Sequence, residues 1–598
     1  MADQPCTFKQ KRKIAEHSFR AKDTCHITLG QYRPMRPAFA LILLLFFTTG
    51  CFEFKYTKMV PMRDGVKLAT DVYLPAGKGP WPVILYRTPY GKDEFYEQGM
   101  GFARIGIAAV GQDMRGRFFS QGKDGVFTTD GDGDLKDGFD TMEWISQQVW
   151  CNGKIGTTGG SARGIVQYMQ NTTGHPNLAV MNPAVATPNL YTDAMFSGGV
   201  FRDNLVCGWL GGQQSLDFLD NVYAHPYEDA FWDSVQTADQ YGNVQAPGLH
   251  QGGWYDIFLQ GTLDGFTGYQ HSGGTGAAGN QKVIIGPWTH GGFGSLTQGE
   301  LTYPANAITP PYASGEAFNT LFNHYLEFGS PDVTDLPDDV PNVQYYVMGD
   351  VDDPAGPGNV WRQADDWPPA AAPVRMHLHP DGSLSEVCPP EDGGMTPYTY
   401  DPADPSPTLC GSNLNMAAGS CDQQYGVEDR ADVILFSTPV LAQPMEITGR
   451  VSAHIFADID QPDTDIMVRM TDVYPDGRSM LIADSAARMA ARNTTTGITP
   501  LSQNEVVETV VDLWSTSIII NTGHRLRISI TSSNSPRFAV NRNTGLDFPD
   551  AAWIVQLQGA DGITGTPVTV NIHHSLDYPS YLEIPDPTRT PEDYIQCN

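Results

Sequence analysis

Residues 154–164 read Lys154-Ile155-Gly156-Thr157-Thr158-Gly159-Gly160-Ser161-Ala162-Arg163-Gly164. A strand candidate over 154–158 ends on two glycines and a serine, and a helix candidate over 161–170 starts there. A serine on such a strand-to-helix turn needs small neighbours, because its backbone is strained and packed on a sheet. The turn exposes the hydroxyl, and the helix start points the Ala162 N–H toward the reacting centre. The full Gly-x-Ser-x-Gly pattern is not met: Arg163 stands in place of the second glycine, and Gly164 follows. A Gly-Gly-Ser stretch alone is more often an ordinary turn, so the surroundings decide.

Upstream, two alternating runs flank Arg63-Asp64-Gly65, a hairpin pattern with Asp-Gly at the turn. Residues 82–86 and 105–110 are apolar runs with the look of buried strands. Leu135, Phe139, Met142 and Ile145 recur at spacings of four, three and three, which predicts a helix over 135–147. Downstream, strand-like segments return at 246–252 and 282–286. Strands alternating with helices predict a parallel α/β sheet. Residues 185–245 are rich in Trp, Phe, Tyr, Asn and Gly without a repeat and are read as a cap inserted over that sheet. From about 335 the texture becomes short strand runs broken by turns such as Pro475-Asp476-Gly477, with a Pro/Gly/Asp-rich stretch over 380–428. That predicts a β-sandwich or jelly roll. The chain thus divides into a leader (1–51), an α/β domain (52–334) and an all-β domain (335–598).

Two further motifs follow strand candidates. Gly252-Gly253-Trp254-Tyr255-Asp256 places an acid at a strand's carboxyl end, where open α/β sheets carry functional side chains. Gly286-Pro287-Trp288-Thr289-His290-Gly291 places a histidine in the same position after the next strand. Each alone reads as a loop aspartate or a packed histidine. Together, Ser161, Asp256 and His290 have the order and context of an α/β-hydrolase triad. A neutral serine is a poor nucleophile, so His290 would take its proton and pass it to the leaving group. Asp256 would hold the ring. The Ala162 amide and the Tyr90 phenol are the candidate oxyanion donors. Trp254, Tyr255, Trp288 and Trp209 are candidate pocket walls for an apolar or aromatic substrate.

The formal charge of -31 excludes a phosphate backbone as an ordinary partner. Near the start, Met35-Arg36-Pro37 precedes an apolar run over 38–47 and then Thr48-Thr49-Gly50-Cys51. This is the pattern of a secretory leader, and about ten apolar residues are too few to span a bilayer. Gly50-Cys51 is similar to a bacterial lipobox, with Thr48 where Leu is usual, so Cys51 is a candidate lipidation site and Met35 an alternative start. The expected location is the cell envelope or outside it. Six cysteines remain after Cys51, and a disulfide is expected among Cys388, Cys410 and Cys421. Asp130-Gly131-Asp132-Gly133-Asp134 resembles the opening of a calcium loop, but Leu135 and Thr141 occupy the places that an EF-hand gives to Gly and Glu. No metal site is assigned.

The motifs resemble the cocaine esterase and X-prolyl dipeptidyl peptidase family of α/β-hydrolases, which includes α-amino-acid ester hydrolases and glutaryl-cephalosporin acylases. The resemblance runs from about Met59 to Leu582. Its anchors are Met62-Arg63-Asp64-Gly65-Val66, Arg87-Thr88-Pro89-Tyr90, Asp113-Met114-Arg115-Gly116-Arg117, the three motifs above, Asp463-Thr464-Asp465, Asp472-Val473-Tyr474-Pro475-Asp476-Gly477-Arg478 and Gly523-His524-Arg525-Leu526-Arg527. It implies the Ser161–Asp256–His290 triad, Tyr90 and Ala162 as oxyanion donors, a helical cap, a galactose-binding-like jelly roll and no cofactor. The family elbow carries Tyr where Ala162 stands, and members that read an α-amino group have a carboxylate where Gly164 stands. The expectation is a serine hydrolase of small carboxylic esters or amides. The alternatives are an X-Pro dipeptidyl peptidase and a non-catalytic surface lipoprotein.

Overall fold

A computed structural model describes residues 54–330, 332–549, 565–590 and 597. The leader and Cys51 lie outside the described residues. A ten-stranded sheet organises the first half. Its strands are β1 (Phe54–Pro61), β2 (Lys67–Leu74), β3 (Trp81–Thr88), β4 (Ala108–Asp113), β5 (Cys151–Gly160), β6 (Leu178–Ala184), β7 (Gly248–Tyr255), β8 (Gln281–Thr289), β9 (Val343–Val347) and β10 (Val360–Ala364). They lie in the order β1-β2-β4-β3-β5-β6-β7-β8-β9-β10. Pairing is parallel from β4 through β9 and antiparallel at both edges. The apolar runs in β3 and β4 fit this arrangement, because a parallel sheet is covered on both faces.

The helices are α1 (Tyr96–Arg104), α2 (Asp137–Ser146), α3 (Ala162–Asn171), α4 (Asp203–Gly212), α5 (Leu219–Ala224), α6 (Leu259–Ser272) and α7 (Ser314–Tyr325). The insertion between β6 and β7 carries α4 and α5, so the cap holds two short helices. Strand β4 starts three residues later than the apolar run predicts, because Ile105 caps α1 and Gly106 turns the chain at φ 94°.

The sheet does not stop at the change of texture near 335. β9 and β10 fall after it and still extend the catalytic sheet, β10 folding back antiparallel on β9. The remainder is β-rich: β11 (Ala372–Leu378), β12 (Met395–Tyr400), β13 (Ile434–Ser437), β14 (Met445–Ile459), β15 (Asp465–Val473), β16 (Ser479–Arg488), β17 (Val507–Ile520), β18 (Arg525–Thr531), β19 (Val568–His573) and β20 (Tyr581–Asp586). One sheet runs β11-β20-β14-β19-β12 with β17 on β14, and a second runs β13-β18-β15-β16. β12 lies within the stretch read as loop.

One hydrophobic cluster runs through both halves, from Trp254 and Leu263 of the catalytic domain to Val451, Ile482 and Ile528. Each such fully buried aliphatic side chain contributes about 1.5–3 kcal/mol. At its margin, the Met348 amide donates to the Ser517 carbonyl (2.9 Å) and Arg362 pairs with Glu446 (2.6 Å). Disulfides join Cys410 to Cys421 and Cys388 to Cys597, and neither includes Cys151 or Cys207.

Candidate active site

Ser161 sits between β5 and α3 at φ 61° and ψ -132°, a left-handed backbone that a non-glycine residue adopts only under constraint. Its amide donates to the Ala184 carbonyl (2.9 Å), and its own carbonyl accepts from Gly164 (2.7 Å) and Ile165 (2.9 Å), which fixes the turn on both sides. Gly164 is needed because α3 crosses close over the end of β6. A Cβ there would lie 2.6 Å from the Ala186 Cβ and 2.9 Å from the Ala184 carbonyl oxygen. Ala162 is the first helical residue, so its N–H has no partner inside the helix.

Two loops bring the remaining triad groups to this turn. His290, one residue past β8, places Nε2 at 2.8 Å from the Ser161 hydroxyl and Nδ1 at 3.1 Å from Asp256 Oδ1. Asp256, one residue past β7, is fully buried, and its Oδ1 also accepts the Phe258 amide at 2.7 Å. The order along the line is hydroxyl, imidazole, carboxylate. Such a line can deprotonate an alcohol and hold the resulting imidazolium without moving a backbone atom.

The loop after Asp256 is gripped from outside the catalytic sheet. Arg202 of the cap is fully buried, donates to the Ile257 carbonyl (3.1 Å) and to the Asp193 carbonyl, and lies 5.4 Å from the ring of Trp514 on β17. Burial, and then the Arg537 charge, push this guanidinium down to about 9. Gln260 accepts both the Ser515 amide (2.9 Å) and hydroxyl (3.0 Å). These contacts with the second half were not legible in the sequence; an arginine opening a cap helix carried no sign of its partner.

Beside Ser161 lies a cavity whose walls include Val126, Phe127, Ile165, Leu205, Trp209 and Phe258. Ala162 also borders it. Of the aromatic residues expected to line a pocket, only Trp209 does so. Trp254, Tyr255 and Trp288 are core residues. Trp254 donates to the Tyr346 carbonyl (2.6 Å) and packs on Trp367, the Tyr255 phenol lies 3.4 Å from that of Tyr303, and Trp288 packs between Phe293 and Trp361. The reason is positional: these residues lie within parallel strands, whose two faces are covered, whereas Asp256 and His290 lie just beyond the strand ends. Conversely, Leu205, Val206 and Leu210 form a wall of the cavity from α4, and an apolar helix face alone did not mark them as such.

Tyr90 follows the turn after β3, its phenol oxygen accepting the indole N–H of Trp209 at 2.9 Å. The acidic stretch 130–134 is built into ion pairs: Asp130 with Arg87, and Asp132 with Lys136. Burial drives the Asp130 carboxyl upward, against the attraction of Arg87. The only described cluster of metal-ligating side chains is His377 with Cys388 and Cys597, and the two sulfurs there are bonded to each other.

A family model described as X-Pro dipeptidyl-peptidase (S15 family) matches residues 64–218 and 211–292, and one described as its C-terminal non-catalytic domain matches 335–583. Cocaine esterase of Rhodococcus sp. (strain MB1 Bresler) is 31% identical over 596 residues, spanning 88% of this chain and 97% of that protein. The chain belongs to the cocaine esterase and X-prolyl dipeptidyl peptidase family. It is a serine hydrolase. Two solved structures share the family fold. An aminopeptidase from a marine-sediment Thaumarchaeota archaeon gives a TM-score of 0.75 at 23% identity, covering 90% of this chain and 96% of that one. An α-amino acid ester hydrolase gives 0.74 at 23% identity, covering 93% and 100%.

Proposed function

We propose that the protein hydrolyses carboxylic esters of uncharged, apolar acids through an acyl-Ser161 intermediate. His290 Nε2 takes the Ser161 proton as the oxygen attacks the ester carbonyl, then delivers it to the departing alcohol. Asp256 holds the ring and balances the imidazolium. The Ala162 N–H and the Tyr90 phenol receive the negative oxygen of the tetrahedral intermediate, each donor being worth about 3–4 kcal/mol. Water then attacks the acyl-serine by the same route in reverse.

The observation that carries this reading is the cavity beside Ser161. Apart from the nucleophile its described lining is apolar or aromatic, with no carboxylate among it. A dipeptidyl peptidase that releases an X-Pro unit must neutralise a free ammonium, and a buried cation without a counter-charge is costly. The apolar wall therefore favours the ester reading over the peptidase one. Supporting it, Gly164 stands where members that read α-amino groups carry an acid. A chain beginning at Phe52 is expected to hydrolyse p-nitrophenyl butyrate, and Ser161→Ala to lose about 10⁶-fold in kcat. A Ser161→Ala variant with parental activity would end the assignment.

We also read the C-terminal half as a jelly roll, on the strength of its two antiparallel sheets, and the protein as exported and lipidated at Cys51. Two disulfides within the folded part support an oxidising compartment. Mass measurement of the mature N-terminus tests the export reading: a chain that still begins at Met1 or Met35 contradicts it.

A further inference from the structure

Trp209 stands on the cap helix α4 and lines the cavity with Ser161, and its indole N–H donates to the Tyr90 oxygen at 2.9 Å. An indole N–H can only donate. It therefore occupies a lone pair of the phenol, and the phenol proton must be directed to a different acceptor. A tyrosine that is to stabilise an oxyanion needs this polarity. Were Tyr90 to donate to a neighbouring carbonyl instead, its proton would be spent before the substrate arrived.

The surroundings fix this geometry from three sides. The Trp209 ring stacks on Phe127 (5.7 Å between centroids, 27° between planes) and meets the Tyr90 ring edge-on (6.5 Å, 77°). The Arg163 guanidinium, two residues past the nucleophile, lies 5.3 Å from the centre of the Tyr90 ring. Arg117 then ties the two elements together. Its Nε donates to the Pro89 carbonyl (3.1 Å), directly before Tyr90, while Nη1 donates to the Gln213 carbonyl (2.7 Å), which caps α4. The same Nη1 reaches the Ser215 hydroxyl (2.9 Å) and pairs with Asp124 (3.2 Å). A cation at the carboxyl end of a helix is also favourably placed for the helix dipole. One side chain thus spans the Tyr90 turn and the end of the helix that carries Trp209.

We propose that Trp209 is a positioning residue for the oxyanion site: its indole N–H fixes the Tyr90 phenol as a proton donor toward the substrate, and Arg117 holds the cap helix in the register that makes this possible. The proposal rests on Tyr90 being an oxyanion donor. It gives the cap a role beyond walling the pocket, since the stabilising power of the site depends on where α4 lies. It also gives a function to Arg117 of the Asp113–Arg117 motif, which the triad leaves unexplained.

The test is a double-mutant cycle on p-nitrophenyl butyrate with the chain beginning at Phe52, kcat being referred to sites titrated to completion by a p-nitrophenyl phosphonate. Tyr90→Phe is expected to lower kcat about 100-fold, as the loss of one oxyanion donor does. Trp209→Phe keeps a ring on Phe127 but donates nothing; kcat should fall about tenfold with KM moved less than about threefold. The double variant should match Tyr90→Phe within about twofold, because the indole acts only through the phenol. Arg117→Lys keeps the charge but cannot hold Pro89 and Gln213 at once. It should likewise lower kcat in the parent and not in Tyr90→Phe, and it provides the same reading should Trp209→Phe fail to fold. A further tenfold loss in the double variant, or a Trp209→Phe effect confined to KM, makes Trp209 a pocket wall and overturns the proposal. Tyr90→Phe with parental kcat removes the oxyanion role itself and the proposal with it.

Discussion

His290 and His524 stand in opposite halves of the molecule with the same first partner, an aspartate on Nδ1: Asp256 at 3.1 Å and Asp472 at 2.8 Å. The second nitrogen separates them. In His290 it faces the Ser161 hydroxyl across 2.8 Å, beside an open cavity. In His524 it faces a second carboxylate, Asp350, at 3.2 Å, and the ring is buried against Tyr474. A ring with one carboxylate and one hydroxyl can alternate between accepting and donating at Nε2. A ring between two carboxylates is asked to donate from both nitrogens and has no basic site to offer. Asp350 lies past β9 of the catalytic sheet and Asp472 at the end of β15, so His524 ties the end of that sheet to the β-rich half. The residue type and the first contact are the same in both places; the partner of the far nitrogen makes one a candidate base and the other a clamp.

Replacing the first partner should therefore break the two sites differently. In Asp256→Asn the amide keeps the size of the carboxylate but can hold the wrong tautomer of His290. The expected loss is about 10⁴-fold in kcat, with a melting temperature near that of the parent. Steady-state kinetics and a thermal melt on the same preparation check it. A loss below about tenfold would mean that Asp256 is not the group that orients His290.

Ser161, Asp256 and His290 were legible in the sequence because each follows a strand candidate, and strand ends are where an open parallel sheet delivers side chains to one place. Tyr90 was legible as a residue beyond β3 for the same reason. The His524 clamp was not, since its partners lie 52 residues away at Asp472 and farther at Asp350, and no local pattern announces two acids converging on one ring. Helix α6 was missed for a packing reason. Gly261, Gly265 and Gly268 break its apolar period and argue against a helix. Their absent side chains make room for neighbours: a Cβ at Gly265 would lie 2.7 Å from the Tyr168 ring, and one at Gly268 2.1 Å from that of Tyr241. The aromatic pocket candidates failed conversely. Trp254 and Trp288 sit beside Asp256 and His290 in sequence, but strand alternation and two covered faces send them into the core, while Trp209, far from the triad in sequence, reaches the cavity from the cap.

The smaller effect belongs to the clamp, and its sign with pH separates it from the active site. Burial alone would lower His524, but the Asp472 hydrogen bond and the Asp472 and Asp350 charges outweigh burial and raise it above the ordinary 6.5. Burial also pushes the Asp472 carboxyl upward, so the acid side of the clamp reports on that group and the neutral-to-alkaline side on the ring. Below pH 6.5 the ring is charged in the folded and the unfolded chain alike, and the clamp's contribution is complete. Above it the unfolded ring releases its proton first, folding must take one up, and stability falls until the folded ring has titrated too. His524→Gln leaves two buried carboxylates with one amide between them and should cost about 3 kcal/mol, with kcat per active site within about twofold of the parent. The gap in melting temperature between parent and His524→Gln should be widest near pH 6 and narrow as the pH rises toward 9. A gap that stayed constant or widened over that range would mean that the ring is not held charged. His524 would then be a neutral packing residue and not a charged clamp.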